Sequence, residues 1–485
     1  MKPTKIQIKY GYVRALTALA LFVSAMVWLL TVHGHVIFYQ EQHNLFLFTS
    51  DYYAATVADG GLVKWLGNFI IQFYYHPWLG ASVVSLMLTG VYLLTGSLIL
   101  RLTGLRDLIQ VSAVAAIAMY FTLCHNEQNP GALVCVLAAL FLLWIIAVML
   151  RRWLPQPRCK KPLSSVKAAV SLLLVVAYII SGYFLAVSTV NRSERAMLRA
   201  EKAIKEHRWD DAVAITGQYL ATGRSNKLML YFRSVALAEK GELLEHLFDF
   251  QHKFGQEILS FPWKSDSREA EYGHLVHEIT GNINAAHHWA FEAMTAWGET
   301  APHLLNLTRY NMALGRPEVA RKFARRLSHS LFYAAEAKRL LAGIDNGSRG
   351  PLRYAFTEKE PQNVKWVNVF DFRPNLMDSY TADPGNNITR QYLLASMMLS
   401  NNLRQLIPML TPEDLKIERV REAVLIYSLD PQATPVSSFG ITVNDETGKK
   451  FAPYMENMRR GRVEQQKEQF GNTFWYYIHY ILKTL

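Results

Sequence analysis

Five uncharged apolar segments in the first 190 residues constrain the fold more than any other feature. They are Ala15–Val32, Leu79–Leu100, Leu108–Cys124, Ala132–Leu150 and Ala168–Val190. A helix that crosses a bilayer needs about 17–25 predominantly apolar residues. The sequence therefore predicts a transmembrane domain over residues 1–190 with about five spans.

The first apolar segment has two interpretations. A cleaved signal peptide is one, because a short basic stretch precedes Ala15–Val32. However, this run is longer than the usual apolar region of a signal peptide, and the bulky, histidine-rich stretch after it offers no cleavage site with small residues. We therefore expect a retained membrane anchor.

The basic residues indicate the orientation of these spans. The loops His33–Trp78 and His125–Pro130 contain a single basic residue, Lys64. The other side contains twelve, which are Lys2, Lys5, Lys9, Arg14, Arg101, Arg106, Arg151, Arg152, Arg158, Lys160, Lys161 and Lys167. Since Lys and Arg are retained in the cytoplasm, the N-terminus is predicted to be cytoplasmic and residues 191–485 extracytoplasmic.

The net charge of +12 is not a nucleic-acid signal. Residues 1–190 contain 13 Lys and Arg against five acids, whereas residues 191–485 contain 38 against 34. The surplus thus lies mainly in the membrane half, and no concentrated basic face is apparent for a phosphate backbone. We expect no nucleic-acid partner.

Polar residues recur every four positions in the first long loop. They are Lys64, Asn68, Gln72 and His76, with Trp65 and other apolar residues around the rest of the helix and Trp78 just after it. This pattern favours an interfacial helix over residues 62–76 that contacts the lipid bilayer and ends before Pro77. The alternative is a short re-entrant or buried helix that packs on the bundle.

After residue 190 the sequence pattern changes to one that predicts paired helices. Arg208, Glu242, Asn282 and Arg316 occupy equivalent positions after turns, about 34–40 residues apart, which is the period of tetratricopeptide (TPR) helix pairs. The prediction is an all-α chain: a transmembrane bundle, TPR-like repeats over 191–344, an irregular insertion over 345–386, and a further helical repeat with a C-terminal helical cap over 387–485. The full fold would be a bundle followed by an α-solenoid.

Carboxylates in the outer loops are candidate catalytic groups. Glu41 and Glu127 follow the first two outward spans, and Asp51 lies further along the first loop. This layout is similar to that of GT-C glycosyltransferases, which implies transfer from a lipid-linked sugar phosphate with a divalent cation at the leaving phosphate. Neither loop contains an Asp-Asp or Asp-x-Asp pair. The alternative is that these acids cap helices or bind loop backbone.

Histidines in the same loops are weak candidates for a zinc or iron site. They are His33, His35, His43 and His125, and none of them falls in a recognised ligand spacing. No cofactor is otherwise expected, and a divalent metal is needed only by the transferase alternative. Cys124 and Cys135 lie near this face and are interpreted as packing residues rather than a disulfide.

The stretch Glu41–Ala81 also carries a resemblance. Its EQxxLFLF, DYY and GGLxxWLGNFxxQFYYxPxxGA motifs resemble those of an uncharacterised family of bacterial inner-membrane proteins with a TPR-like extracytoplasmic region. The resemblance covers most of the chain and implies an architecture but no activity.

These observations favour a protein of the inner membrane and cell envelope whose solenoid binds an envelope protein. The soluble half contains no catalytic fingerprint. The alternative function is a GT-C-like lipid-linked glycosyl or related transferase, so the sequence leaves open whether the chain is an enzyme.

Overall fold

The computed structural model describes residues 7–153, 162–264, 266–350, 352, 368 and 371–484, and it is built almost wholly of helices. In unit order along the chain these are α1 Tyr10–Thr31, α2 Gly34–His43, α3 Ser50–Ile71, α4 Pro77–Thr103, α5 Val111–Phe121, α6 Gly131–Met149, α7 Ser165–Thr189, α8 Arg192–Lys205, α9 Trp209–Leu220, α10 Lys227–Lys240, α11 Ser267–Tyr272, α12 His274–Ile279, α13 Ile283–Trp297, α14 Ala301–Ala313, α15 Pro317–Leu327, α16 Ala334–Asp345, α17 Phe372–Ala382, α18 Asn387–Leu399, α19 Leu403–Leu406, α20 Glu418–Ser428, α21 Asp445–Arg459, α22 Val463–Phe470 and α23 Phe474–Tyr476.

Two short strands, β1 Gln7–Ile8 and β2 Leu163–Ser164, pair antiparallel, with Gln7 opposite Ser164. The chain divides into two compact units. The first contains Met1–Arg195, Glu299–Leu305 and Phe323–Leu341, and the second contains the rest. The first unit thus includes two pieces from the region in which the sequence predicts repeats.

Among the described residues, four helices of the first unit are long and apolar enough to cross a membrane. They are α1, α4, α6 and α7, of 22, 27, 19 and 25 residues. The fifth predicted span, Leu108–Cys124, contains only the 11-residue helix α5. At 1.5 Å per residue, α5 alone covers about 16 Å, roughly half of the hydrocarbon thickness.

Hydrogen bonds before the start and near the end of α5 link this short helix to the two ends of α1. Tyr10, in the first turn of α1, donates to the carbonyl of Asp107 (3.4 Å), and Asp107 accepts the N–H of Val111 at the start of α5 (2.9 Å). Near the end of α5, the Tyr120 hydroxyl lies 2.7 Å from Nδ1 of His33, just beyond α1. The stretch from Asp107 to Tyr120 therefore reaches from one end of α1 to the other.

Helix α3 bends at Gly61, whose φ of 69° lies in the left-handed region that glycine adopts without strain. After the bend, α3 packs closely on the turn that precedes α6. A β-carbon at Gly67 would collide with the Asn129 side chain, so this approach requires glycine. The helix ends in a 3-10 turn, Gln72–Tyr75, before Pro77 begins α4.

Three helix ends in the second unit share one type of turn. Arg208, Glu242 and Arg316 each donate their backbone N–H to the carbonyl five residues earlier, at 2.8 Å. The residue before each of them, His207, Gly241 or Gly315, has a positive φ. This is the Schellman geometry that closes a helix and redirects the chain. The fourth equivalent position, Asn282, caps α13 by accepting the N–H of Ala285 (3.1 Å).

The second predicted repeat lacks its second helix. Residues 241–254 form consecutive turns rather than a helix, so the expected helix after Glu242 is wrong. Tertiary contacts override its helical periodicity: Leu243 donates its N–H to the Gln391 side chain (3.1 Å), and Asp249 binds Arg233 (2.9 Å). Phe248 packs on residues near the C-terminus.

The predicted irregular insertion, 345–386, is described only in part. Residues 351, 353–367, 369 and 370 lie outside the described residues. Its last part contains α17, where the sequence pattern predicts no helix. Asp371 caps this helix by accepting the N–H of Arg373 (3.0 Å), and Pro374 falls in the first turn, where its missing N–H costs nothing.

Two helices at the centre of the second unit are buried on nearly all sides. They are α10 and α18, whose apolar side chains form a large part of one apolar core. Gln391 of α18 donates to the carbonyl of Ala238 in α10 (3.2 Å), which joins the two helices. Phe474 and Tyr477 complete this core from the C-terminal end of the chain.

Candidate functional site

The first loop of the first unit folds around one phenylalanine. Phe46 is buried, and its ring lies 5.0–5.4 Å from the rings of Phe48, Tyr52, Trp65 and Phe69. We call these five residues the Phe46 cluster. Because it joins the segment after α2 to both halves of α3, most aromatic residues of the Glu41–Ala81 motifs pack against each other here.

Glu41 is held by a residue far along the chain. The Tyr333 hydroxyl donates to one of its carboxylate oxygens, and the Gln42 amide donates to the other. Burial, together with the Glu41 carboxylate, raises the pKa of Tyr333 well above its usual value, so the phenol remains a donor. Glu41 is therefore occupied by structural hydrogen bonds.

Asp51 is also paired with the segment that contains Tyr333. Its carboxylate accepts from Arg326, and hydrogen bonds from Thr49 and Arg326 lower the pKa of Asp51. Close by, Phe48 donates its N–H to the carbonyl of His329 (2.9 Å). The 323–341 segment is thus fastened to the first loop at three places: Glu41, Phe48 and Asp51.

The two outer-loop glutamates have different surroundings. Glu41 lines a cavity of about 20 Å³ beside Gln72 and Ser330, enough for about one water molecule. Glu127 is exposed and does not line that cavity. The loops themselves do meet, because the Gln40 amide donates to the backbone carbonyls of the residues on either side of Glu127.

The structure brings His33 and His35 together. Their rings stack 5.9 Å apart, and both are buried. The pKa of each is lowered to about 4, mainly by burial; the nearby Arg195 contributes for both rings, and His35 and His125 contribute for His33. Nε2 of His33 and Nδ1 of His35 are buried with no hydrogen-bond partner among the described residues.

The other predicted metal ligands do not join them in a metal-binding group. His43 stacks on Tyr39 at 3.9 Å, and its Nδ1 lies 2.9 Å from the Tyr39 carbonyl. Cys124 and Cys135 are free thiols, and the Cys124 sulfur lies 3.8 Å from Nδ1 of His33. Within the described ranges, no three His, Cys, Asp or Glu side chains are grouped so as to hold a metal ion.

The polar residues of the predicted stripe have different surroundings: Asn68 is buried, whereas Lys64 lies nearer the surface. Asn68 is buried, donates to the Tyr52 hydroxyl (2.9 Å) and accepts from the Asn129 amide (2.8 Å). Lys64, in contrast, pairs with exposed Asp59. At Asn68 the arrangement matches the alternative of a helix packed on the bundle, because Gly67 lets Asn129 approach.

The remaining residues of the stripe lie nearer α4. Gln72 donates its amide to the Phe69 carbonyl (2.9 Å). His76 and Trp78 are exposed, with ring centroids 6.2 Å apart at the start of α4. These two residues keep the exposure expected of side chains at a membrane interface.

The second unit contains a larger cavity that the sequence analysis missed. It measures about 220 Å³, and we call it the Trp263 cavity; its lining residues are Gln256, Glu257, Ser260, Phe261, Pro262, Trp263, His277, Trp289, Asn368, Asp371, Phe372 and Asn375. Trp263 stacks on buried Trp289 at 4.8 Å. The lining comes from separate parts of the chain, so no local motif indicates it.

Both carboxylates of this cavity are paired within the chain. Glu257 binds Lys227 (2.8 Å), and Asp371 binds Arg373 (3.4 Å). His277 is buried. Its pKa is lowered to about 3, mainly by burial and also by the nearby His288, so the ring is neutral at pH 7. Its buried Nδ1 has no hydrogen-bond partner within the described part of the chain. The cavity is thus aromatic and polar, with its lining charges balanced.

Comparison with known proteins gives one match. No curated protein and no solved structure matches this chain. A family described as a family of unknown function (DUF6057) matches residues 9–192 and 166–481, which together cover nearly the whole chain. The chain therefore belongs to this family.

Proposed function

We propose that this protein is a membrane-anchored interaction protein, whose second unit presents TPR-like helix pairs to a protein partner in the bacterial cell envelope. The Trp263 cavity is the observation that carries the proposal. At about 220 Å³ it is smaller than the roughly 300–1,000 Å³ of most small-molecule sites, but it suits one inserted side chain. Aromatic side chains in such pockets often dominate the energy of protein interfaces.

The chemistry of the cavity supports a neutral, partly polar occupant. Glu257 and Asp371 are already paired with cations of the same chain, so an added charge would gain little. Asn368 and Asn375, which line the cavity together with polar Gln256, exchange hydrogen bonds of 2.8 Å.

Filling the cavity tests this proposal. Gln256→Trp should block the cavity without removing any of its aromatic walls, and we expect at least a tenfold loss of partner recovery after crosslinking and purification from envelopes. Gln465→Trp places the same side chain on exposed helix α22 and serves as the matched control. Equal recovery of the same proteins with both variants would contradict the proposal.

The proposed orientation has a cytoplasmic N-terminus, five crossings and residues 191–485 outside the inner membrane. The lysine and arginine asymmetry supports it. So do the contacts of the stretch Asp107–Tyr120, which reaches from one end of α1 to the other although α5 has only 11 residues. An even number of crossings would leave the second unit in the cytoplasm.

Reporter fusions decide between these orientations. We expect alkaline phosphatase joined after Val190 to be active and a fluorescent protein joined there to be dark. The same reporters joined after Arg106, in a predicted cytoplasmic loop, should give the opposite pair of results. A bright, phosphatase-inactive fusion after Val190 would show that the second unit is cytoplasmic.

A lipid-linked transferase remains the alternative proposal, but the geometry favours it less. It needs ionised carboxylates that share a cation in an open site. Glu41 is hydrogen-bonded to Tyr333 and Gln42 beside a cavity for about one water molecule, and Glu127 is exposed outside that cavity. The carboxylates are thus better suited to holding the loop together.

A further inference from the structure

A group of exposed aromatic rings lies at one end of α4. Trp78 lies in the first turn of this helix and is 60% exposed, while Tyr75, just before the helix, is 41% exposed. Helix α4 is long and apolar enough to cross a membrane. Tryptophan and tyrosine at the end of such a helix lie at the level of the lipid headgroups. Tyr75 and Trp78 therefore mark the depth of the membrane surface.

A turn from much later in the chain reaches the same depth. Phe332 stacks on Tyr75 with ring centroids 5.4 Å apart and planes within 6° of parallel. It also meets the ring of His76 at 5.6 Å. The neighbouring Leu331 is 49% exposed. The turn Ser330–Tyr333 thus presents an exposed leucine beside the aromatic end of a membrane span.

The turn is held in this position by bonds that do not involve Leu331. Tyr333 donates to Glu41, His329 accepts from the backbone of Phe48, and Arg326 pairs with Asp51. These bonds fasten the turn on both sides, so Leu331 is presented on a fixed support. The residues Ser328–Tyr333 carry no acidic side chain that would oppose contact with lipid.

We propose that the turn Ser330–Tyr333 is a membrane-contacting loop, in which Leu331 enters the headgroup region of the bilayer next to Tyr75 and Trp78. Exposed Arg325, in the last turn of α15, adds a positive charge suited to anionic headgroups. The bilayer is favoured over a protein as the occupant because the surface is continuous with span α4. The inference rests on the membrane location of α4 in the proposed function, but not on the partner or the orientation.

Spin labels measure this contact in the full-length protein. In a background where Cys124, Cys135 and Cys159 are replaced by serine, a labelled cysteine is placed at Leu331→Cys, and the protein is reconstituted in nanodiscs of phosphatidylethanolamine and phosphatidylglycerol. Collision of the label with oxygen, which concentrates in lipid, is compared with collision with a water-soluble nickel chelate. We expect the oxygen-to-nickel ratio at position 331 to exceed that at an aqueous site by at least threefold.

Two further positions make the outcomes distinct. Ile146→Cys, at an exposed position on α6, is the lipid reference. Leu429→Cys replaces an exposed leucine of the second unit and is the aqueous reference. A ratio at 331 equal to that of a freely dissolved label overturns the inference, as does a label shielded from both reagents, which would indicate a protein contact. If Ile146→Cys itself reports water, the proposed membrane location fails instead.

Discussion

Replacement of Phe46 by alanine is expected to lower the free energy of unfolding by about 3–5 kcal/mol, the usual cost of removing a buried phenylalanine. The ring is only 3% exposed and contacts four other aromatic rings, so the surrounding side chains cannot close the space without leaving their own contacts. Chemical denaturation in detergent, followed by tryptophan fluorescence, measures the change.

Phe291→Ala is the matched control for this prediction. Phe291 is 46% exposed on α13, and substitutions at such positions usually change stability by less than about 0.5 kcal/mol. We also expect Phe46→Ala to make the 323–341 segment more sensitive to proteases, since Phe48 of the cluster binds His329. Equal stability of the two variants would show that the Phe46 cluster does not stabilise the first unit.

Lowering the pH from about 6.5 to 4.5 is expected to destabilise the protein by about 2–3 kcal/mol for each buried neutral histidine. Two of them lie in the second unit: His252, whose pKa burial lowers to about 4, and His277, whose pKa is lowered to about 3. An unfolded histidine binds its proton near pH 6.5, whereas these two do so only near pH 4 and 3. Between those values the unfolded state holds more protons, so stability falls as the pH falls, and above pH 6.5 the effect vanishes.

The measured quantity is the slope of the free energy of unfolding against pH. A substitution that changes stability equally at every pH leaves this slope unchanged. The double variant His252→Gln and His277→Gln should have a smaller slope between pH 6.5 and 4.5, and a slope should remain because the pKa values of His33, His35 and His287 are also lowered to about 4. His329→Gln, at an exposed position, should keep it. A double variant with an unchanged slope would show that other groups cause the acid sensitivity.

The helices of the first unit were largely predictable because hydrophobicity fixes them locally. The uncharged runs locate α1, α4, α6 and α7, and Pro77 marks the start of α4. The run Leu108–Cys124 predicts a span but not the shortness of α5. There Asp107 accepts the N–H of Val111 and so begins the helix later than the apolar run does.

The candidate site was less predictable because its contacts join distant parts of the chain. Tyr333 and Glu41 are 292 positions apart, and no periodicity relates them. A spacing of four residues groups Asn68 with Lys64, but it cannot tell that Asn129 turns Asn68 inward. Similarly, the pattern after Glu242 predicts a helix, but the Gln391 side chain accepts the N–H of Leu243 and no helix forms there. In each case a tertiary partner decided the outcome.

The fastening of residues 323–341 onto the first loop has a consequence for biosynthesis. The first unit is discontinuous in sequence, so it remains unfinished until the ribosome has passed residue 341. During that interval, Glu41, Asp51 and Tyr75 lack their later partners Tyr333, Arg326 and Phe332. A chain truncated after the last span would keep that nascent state permanently, which makes residue 190 a poor place to divide this protein for expression.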